Sequence, residues 1–397
     1  MGWQRVRGHE EIVQGFRKVV ARGRLGHAYL FTGPPGVGKR LFAQELARAL
    51  LCENPPGPLD ACDVCPACVQ VDAATHPDFF PAARPPESLE FPIDLMRTLC
   101  GQFALKSARG IGRGDADRTR ETAAVAMLGA LEGLGICCRV MLGPRGDRVL
   151  VHGVTVGRPD RIHYDLGVYP VEGASLVARG LPGAISVLVA VPPDAFPVLP
   201  PVWYVDKIVA GPAARGALDL DDPLADNLRR IAFARDARVS DLAVAILDRP
   251  RHQELIEEVR DAGARIVLLE EGEIAGALLA ATPATGVDAM VGIGGLQETV
   301  MAACAVRCLG GEIQARLWPR NDEERLLAGD EVGRVYNVEN LAPDQVDVAV
   351  TGISGGPLLG AAWFGSRGAE TESLTLSTRF HTARRIKTSH YRVGKPG

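Results

Sequence analysis

Beyond residue 240 the chain alternates short apolar runs with amphipathic segments, and this rhythm restricts the fold more than any other feature. LAVAIL (242–247), RIVLL (265–269) and VDAMVGIGG read as strands. Between and after them, RHQELIEEVRDAG (251–263), EIAGALLAAT and ETVMAACAVRCLGG read as helices, the first with Leu255, Ile256 and Val259 facing inward. Strands alternating with helices predict a layered α/β domain. Upstream, a helix is expected over 117–134 and strands over Cys137–Leu142, Val149–Val156, ISVLVAV (185–191) and WYVDKIVAG (203–211), with VPPDAFPVLPP (191–201) a structured excursion between two of them. No internal repeat or low-complexity tract interrupts the pattern.

The first hundred residues follow a different logic. HAYLF (27–31) is a short apolar run leading into Gly33, Gly36, Gly38 and Lys39, and the segment after it places Phe42, Leu46 and Leu50 on one stripe. Strand, glycine-rich loop and helix form the setting of a phosphate-cradling loop, whose amides favour phosphate and whose Lys39 would reach the β/γ oxygens. Arg40 stands where a hydroxyl normally serves Mg²⁺, so the loop reads either as a nucleotide or phosphate site without hydrolysis or as a relic that simply joins a strand to a helix. Cys52 and then ACDVCPAC, with Cys62, Cys65 and Cys68, supply four thiolates at the spacing of a closed structural zinc site.

Composition sets the remaining limits. Hydrophobic residues make up 47% and charged residues 23%, as in a packed soluble protein, and a net charge of −4 gives no electrostatic case for an extended nucleic-acid surface. MGWQRVRGHEEIVQ lacks the apolar core of a signal peptide, and ISVLVAV stops at Pro192 and Pro193, far short of a membrane span. A cytoplasmic protein without membrane or direct nucleic-acid partners is expected. Its nine cysteines are then thiols or metal ligands.

Residues 8–109 resemble the delta-prime subunit of the bacterial DNA polymerase III clamp loader, an AAA+ protein. The likeness rests on GHAYLFTGPPGVGKR, the four cysteines, THPDFF (75–80) and IDLMRTLCGQFALKSARG (93–110). In that family the cysteines carry zinc. The acidic strand end that should come next is missing: SARG is followed by IGRGDADRTRETAAVAMLGALEGL. The ATPase module is truncated, and no ATP hydrolysis is expected from it.

From about 104 to 392 the chain resembles the class II fructose-1,6-bisphosphatases, through GRGDAD (112–117), YPVEGASLVARGLPGAISVLVAV (169–191), YVDKIVAGPAARGALDLDDPLADNL (204–228), the block 240–278, GIGGLQETVMAACAVRCLGGEIQARLWPRNDEE (292–324), ATGISGG and IKTSHY. The resemblance implies a layered α/β sugar-phosphatase fold over 104–397, preceded by a partial P-loop AAA+ segment with a small zinc module over 1–103. It implies Mg²⁺- or Mn²⁺-dependent removal of a phosphate from a sugar bisphosphate, as in gluconeogenesis and sugar-phosphate cycling. Carboxylates that hold divalent metal are central to such chemistry. Asp115, Glu172 and Glu298 match the family's metal ligands; Tyr204, Lys207, Arg249, Arg251, Glu271, Glu273 and Gly294 match its substrate positions, with the GIGG amides as a phosphate cradle. A homo-oligomer is expected.

The departures fall on the metal side. Tyr169 replaces the first Asp of the DPxEGT motif, Ala174 its Thr, and GPRGD (143–147) replaces an acidic loop, with Asp147 as a partial substitute. The expected protein is a sugar-bisphosphate phosphatase with an impaired metal site. The alternatives are a non-catalytic sugar-phosphate-binding pseudoenzyme, an interaction protein related to the clamp loader, or a recombination product joined near Ser107–Gly110.

Overall fold

The computed structural model describes residues 2–23, 25, 29, 31, 37–72, 76, 93–132, 136–144, 146–158, 161–366 and 368–391. The chain forms two compact units, Met1–Ser88 and Leu89–Gly397.

In the first unit, α1 (Glu10–Ala21), α2 (Lys39–Leu51) and α3 (Pro66–Asp72) follow a short 3₁₀ turn at Gly2–Arg5. Val13, Phe42, Leu46, Ala49 and Leu59 make the core, and the Phe42 ring meets those of Trp3 and Phe31 at 5.1 Å each. The inward stripe of α2 is therefore Phe42, Leu46 and Ala49, while Leu50, expected inside, is exposed. Arg48 is buried beside Glu45. Its guanidinium reaches Asp63 at 3.2 Å and Asp72 at 2.9 Å, which ties α2 to the cysteine loop and to α3. Gly33 and Gly36 lie outside the described residues, as does most of the expected strand HAYLF. Gly38 precedes α2 with φ of +91°, a left-handed conformation that glycine adopts without strain, and Lys39 opens the helix.

In the second unit, α4 (Ile93–Ala108) and α5 (Ala116–Glu132) come first, so the expected boundary at 103/104 falls inside α4. The strands are β1 (Cys137–Leu142), β2 (Thr155–Gly157), β3 (Ile162–Glu172), β4 (Ile185–Val191), β5 (Tyr204–Ala210), β6 (Ala243–Leu247), β7 (Arg265–Leu269), β8 (Ala289–Gly295), β9 (Glu312–Trp318), β10 (Val335–Tyr336), β11 (Asp347–Gly352), β12 (Trp363–Gly365), β13 (Gly368–Ser377) and β14 (Thr382–Tyr391). One sheet has the order β12-β13-β11-β4-β3-β1-β2 with β14 on β13, and the other β10-β9-β5-β8-β6-β7. The helices are α6 (Ala174–Arg179), α7 (Leu224–Ala234), α8 (Gln253–Asp261), α9 (Glu273–Ala281), α10 (Leu296–Leu309), α11 (Asp322–Ala328) and α12 (Val338–Leu341).

The apolar contacts define five layers. Met96, Leu99, Phe103, Met127 and Leu131 of α4 and α5 cover one face of the first sheet. Leu228, Ile231, Ile256 and Val259 of α7 and α8 cover the outer face of the second. Between the sheets lie α9 and α10, which pack against Val187 and Val189 on one side and Val205 and Val209 on the other. A helix buried on both sides must be apolar all round, and α9 is from Ile274 to Ala281.

Every strand and helix expected from 240 onward is present at its place. The strand expected over Val149–Val156 is not: only Thr155–Gly157 pairs with β1. Asp147 Oδ1 accepts the amides of Val149 at 2.7 Å and Leu150 at 3.0 Å, and Gly153 takes φ of +85°, so the apolar run turns before it can pair. Among the described residues, no helix is long and apolar enough to cross a membrane.

Candidate active site

The ends of β3, β5 and β8 and the first turns of α9 and α10 converge on one group of polar side chains. Glu172 closes β3 and is buried. Its Oε1 accepts the Ile274 amide at 2.6 Å and its Oε2 the Ala275 amide at 2.9 Å, so it holds the N-terminus of α9. Burial pushes this carboxyl up to about 8, against the pull of the two amides, with Glu273 and Glu298 adding negative charge nearby.

That shift has a sign. The folded state keeps the proton between the unfolded value near 4.5 and about 8, so stability is full below this window and falls as pH rises through it, by about 1.4 kcal/mol per unit. Urea midpoints across this range should therefore fall less steeply for Glu172→Gln than for the wild type. Parallel curves would show that Glu172 does not carry the shift.

Tyr169, also on β3, is buried and donates its hydroxyl to Glu298 Oε1 at 2.5 Å. Burial, and then the Glu298 charge, raise the phenol well above its usual range, so it stays a donor. Glu298 sits in the first turn of α10 against Gly295, where a Cβ would stand 1.9 Å from its Oε2.

Lys207 of β5 is only 1% exposed and pairs with Glu273 Oε1 at 2.6 Å, while Glu273 Oε2 accepts the Gly295 amide at 2.8 Å. The ion pair fits because Gly294 lacks a side chain: a Cβ there would lie 2.1 Å from Glu273 Oε1 and 2.2 Å from Lys207 Nζ. Gly294→Ala should break this buried pair and lower stability by about 3 kcal/mol, read as a lower urea midpoint. An unchanged midpoint would mean that the pair relaxes freely.

The rim is cationic. The Arg251 guanidinium lies 5.1 Å from the Tyr204 ring centre and donates to Ile293 O at 3.0 Å; Arg320 sits 4.5 Å from Trp203 and 5.9 Å from Tyr204. Arg249 donates to Asp248 O at 2.8 Å, and Glu271 accepts the hydroxyl and amide of Ser175. Two of the four GIGG amides are already engaged: Ile293 N donates to His252 Nε2 and Gly295 N to Glu273, and the next amide, Leu296 N, goes to Trp203 O.

His252 and Arg320 are absent from the sequence-based site. His252 is buried, with Nδ1 2.7 Å from Leu247 O and Nε2 2.9 Å from Ile293 N, so the neutral Nδ1–H form satisfies both contacts. It locks the turn that carries Arg249 and Arg251 to β8. In sequence, a histidine after two arginines looks solvated, and only the fold reveals its burial.

Asp115 precedes α5 and accepts the Arg118 amide at 2.8 Å, facing a cleft lined by Lys106, Arg109, Arg113 and Arg118. Asp147 is engaged by its own turn, and Arg145 lies outside the described residues. Asp115, Glu172 and Glu298 do not form a three-ligand set: among the described residues, the one group of three or more placed to hold a metal is Cys52, Cys62, Cys65 and Cys68. Asp115 and Glu172 accept backbone amides and Glu298 Oε1 the Tyr169 hydroxyl, so a divalent cation at these carboxylates would have to compete with protein donors.

The cysteines of the first unit do fit a metal. Their sulfurs all lie within 4.8 Å of one another, with Cys52 and Cys65 at 4.0 Å, near the edge of about 3.8 Å in a tetrahedron of zinc–sulfur bonds. The amides of Cys62, Cys65 and Cys68 donate to the preceding cysteine sulfurs, and the donors around Cys65 lower its thiol to about 6.

Comparison with known proteins agrees with this architecture. The family model of the bacterial fructose-1,6-bisphosphatase, glpX-encoded, matches residues 91–390, and that of the DNA polymerase III delta subunit matches 8–133. The D-fructose 1,6-bisphosphatase class 2/sedoheptulose 1,7-bisphosphatase of Thermosynechococcus vestitus is 35% identical over 323 residues, 73% of this chain and 92% of the relative. Its namesake from Synechococcus sp. (strain JA-3-3Ab) is 35% identical over 329 residues, 74% and 94% respectively. The chain is a member of the class II fructose-1,6-bisphosphatase family of phosphoric monoester hydrolases, with a clamp-loader-related segment at its N-terminus.

Proposed function

We propose that the family's reaction, metal-dependent removal of a phosphate from a sugar bisphosphate, survives here only in attenuated form, and that sugar-phosphate binding outlasts it. The observation that carries this reading is the Tyr169–Glu298 hydrogen bond. A phenol occupies a metal carboxylate's place and holds the neighbouring carboxylate. Binding draws on other groups: Tyr204, Arg249 and Arg251 at the rim, with Lys207 and Glu273 behind. Arginine suits the task because its planar fork grips phosphate at two points.

The direct test pairs phosphate release with titration calorimetry on fructose 1,6-bisphosphate and sedoheptulose 1,7-bisphosphate, each with Mg²⁺ and with Mn²⁺. Measurable affinity with slow release is expected. Brisk release would overturn the attenuated reading, and affinity with no release at all would favour the non-catalytic pseudoenzyme.

The first unit is a separate matter. Its four cysteines support one structural zinc per chain. Gly38 and Lys39 at the start of α2 support phosphate contact, while Arg40 supplies no hydroxyl to Mg²⁺. ATP should not turn over; turnover that vanished in Lys39→Ala would refute this.

A further inference from the structure

The corner between α4 and α5 concentrates positive charge. Lys106 near the end of α4, Arg109 and Arg113 in the connection and Arg118 in α5 line a cleft of about 570 Å³, within the range of small-molecule sites. Four cations there face one carboxylate, Asp115, in a chain whose net charge is −4.

Ion pairing, which neutralises many arginines of this unit, does not do so in this cleft. Elsewhere in the same unit they reach carboxylates: Arg139 to Asp165, Arg235 to Asp288, Arg307 to Asp344 and Arg316 to Asp221. Among the described residues, none of the four cleft cations forms an ion pair. The nearby acids point elsewhere, Asp115 to the Arg118 amide and Asp117 to Arg120. Gly110 keeps the cations close, since a Cβ there would stand 2.6 Å from Thr119 Oγ1 and would push the end of α4 away from α5. The Arg109 guanidinium lies 5.5 Å from the Phe364 ring centre, a contact that orients the cation without cancelling its charge.

We propose that this cleft binds a small, multiply charged phosphate-bearing anion through Arg109, Arg113, Arg118 and Lys106. Such a ligand relieves the repulsion among the cations and offers acceptor oxygens to guanidinium forks. Of the three hydroxyls in the lining, those of Ser107 and Thr119 already donate to backbone oxygens, so charge dominates the binding and salt weakens it steeply. Occupancy does not depend on hydrolysis at the Tyr169–Glu298 site.

The test is calorimetric titration of the full chain with pyrophosphate at low ionic strength. The wild type should bind, and the Arg113→Gln/Arg118→Gln pair should bind at least about tenfold more weakly. Arg109→Gln should weaken binding by itself. Arg251→Gln, in the sugar-phosphate site, should leave the affinity unchanged. All three cleft arginines are exposed, so these variants should keep the wild-type melting temperature. Absence of binding by the wild type would overturn the proposal, as would affinity lost in Arg251→Gln but retained in the cleft variants.

Discussion

Stripping metal from the purified protein should release one zinc per chain and unfold the segment around residues 52–68, while the unit from 89 onward stays folded. Three of the four cysteines fall within seven residues that run into the start of α3, and the cluster around them holds only Ala61 and Ala67 besides the thiols. Such a stretch has almost no apolar burial to offset its conformational entropy. Structural zinc in small thiolate sites is worth on the order of 10 kcal/mol, far more than any other contact in this segment. The charged contacts of Arg48 with Asp63 and Asp72 depend on that loop, so α2 and α3 should loosen with it. Elemental analysis before and after chelation, combined with circular dichroism, tests this. Cys65→Ser should reproduce the effect; a protein isolated without zinc, or one indifferent to chelation, would refute it.

The second large effect concerns turnover. Tyr169→Asp combined with Pro144→Glu and Gly146→Glu should raise metal-dependent phosphate release by about 10²-fold or more. Losing one preorganised electrostatic element at a reacting centre commonly costs about 3–4 kcal/mol, and these substitutions restore a carboxylate beside Glu298 and acidic charge in the 143–147 loop, whose Gly143 amide meets Gln297. The aspartate also removes the phenol that holds Glu298, freeing that carboxylate for a cation. Affinity for the sugar bisphosphate should change little, because Tyr204, Arg249 and Arg251 are untouched. A rise in affinity without a rise in rate would place the defect elsewhere than in the metal carboxylates. The effects of the three substitutions should not add, since they act on one site.

Much of the second unit could be read from residues alone, for a physical reason. Parallel strands under helices are apolar throughout, as in AVAIL of β6, and their helices carry a one-sided stripe, so the change of period marks each element. The β12–β14 meander escaped notice because GAETESLTLS and TARRIKTSHY mix polar and apolar positions on strands that partly face solvent. Val149–Val156 misled because its apolar composition was right for a strand while Asp147 and Gly153 turned the backbone.

At the site, residue identities were legible but their partners were not. Glu172 meets an amide 102 positions away and Tyr169 a carboxylate 129 positions away, contacts that no local pattern encodes. Burial inverted other expectations in the same way. Lys207, expected among the substrate positions, is sealed against Glu273, and the glycines expected to bare their amides leave room for side chains, Gly294 for Glu273 and Lys207 and Gly295 for Glu298.

The layer of α9 and α10 between the two sheets has a bearing on how such chains age. Glu172 reaches into that layer from one sheet, and Lys207, through Glu273, from the other, so the acidic residues around the pocket are also rivets of the scaffold. If catalysis decayed, folding alone would still penalise their replacement, and the pocket would go on looking like an active centre long after its chemistry had faded. Tyr169 and the 143–147 loop are the truer gauge of competence, because a buried phenol and a tight turn serve the framework there without the acidic charge that metal chemistry would need.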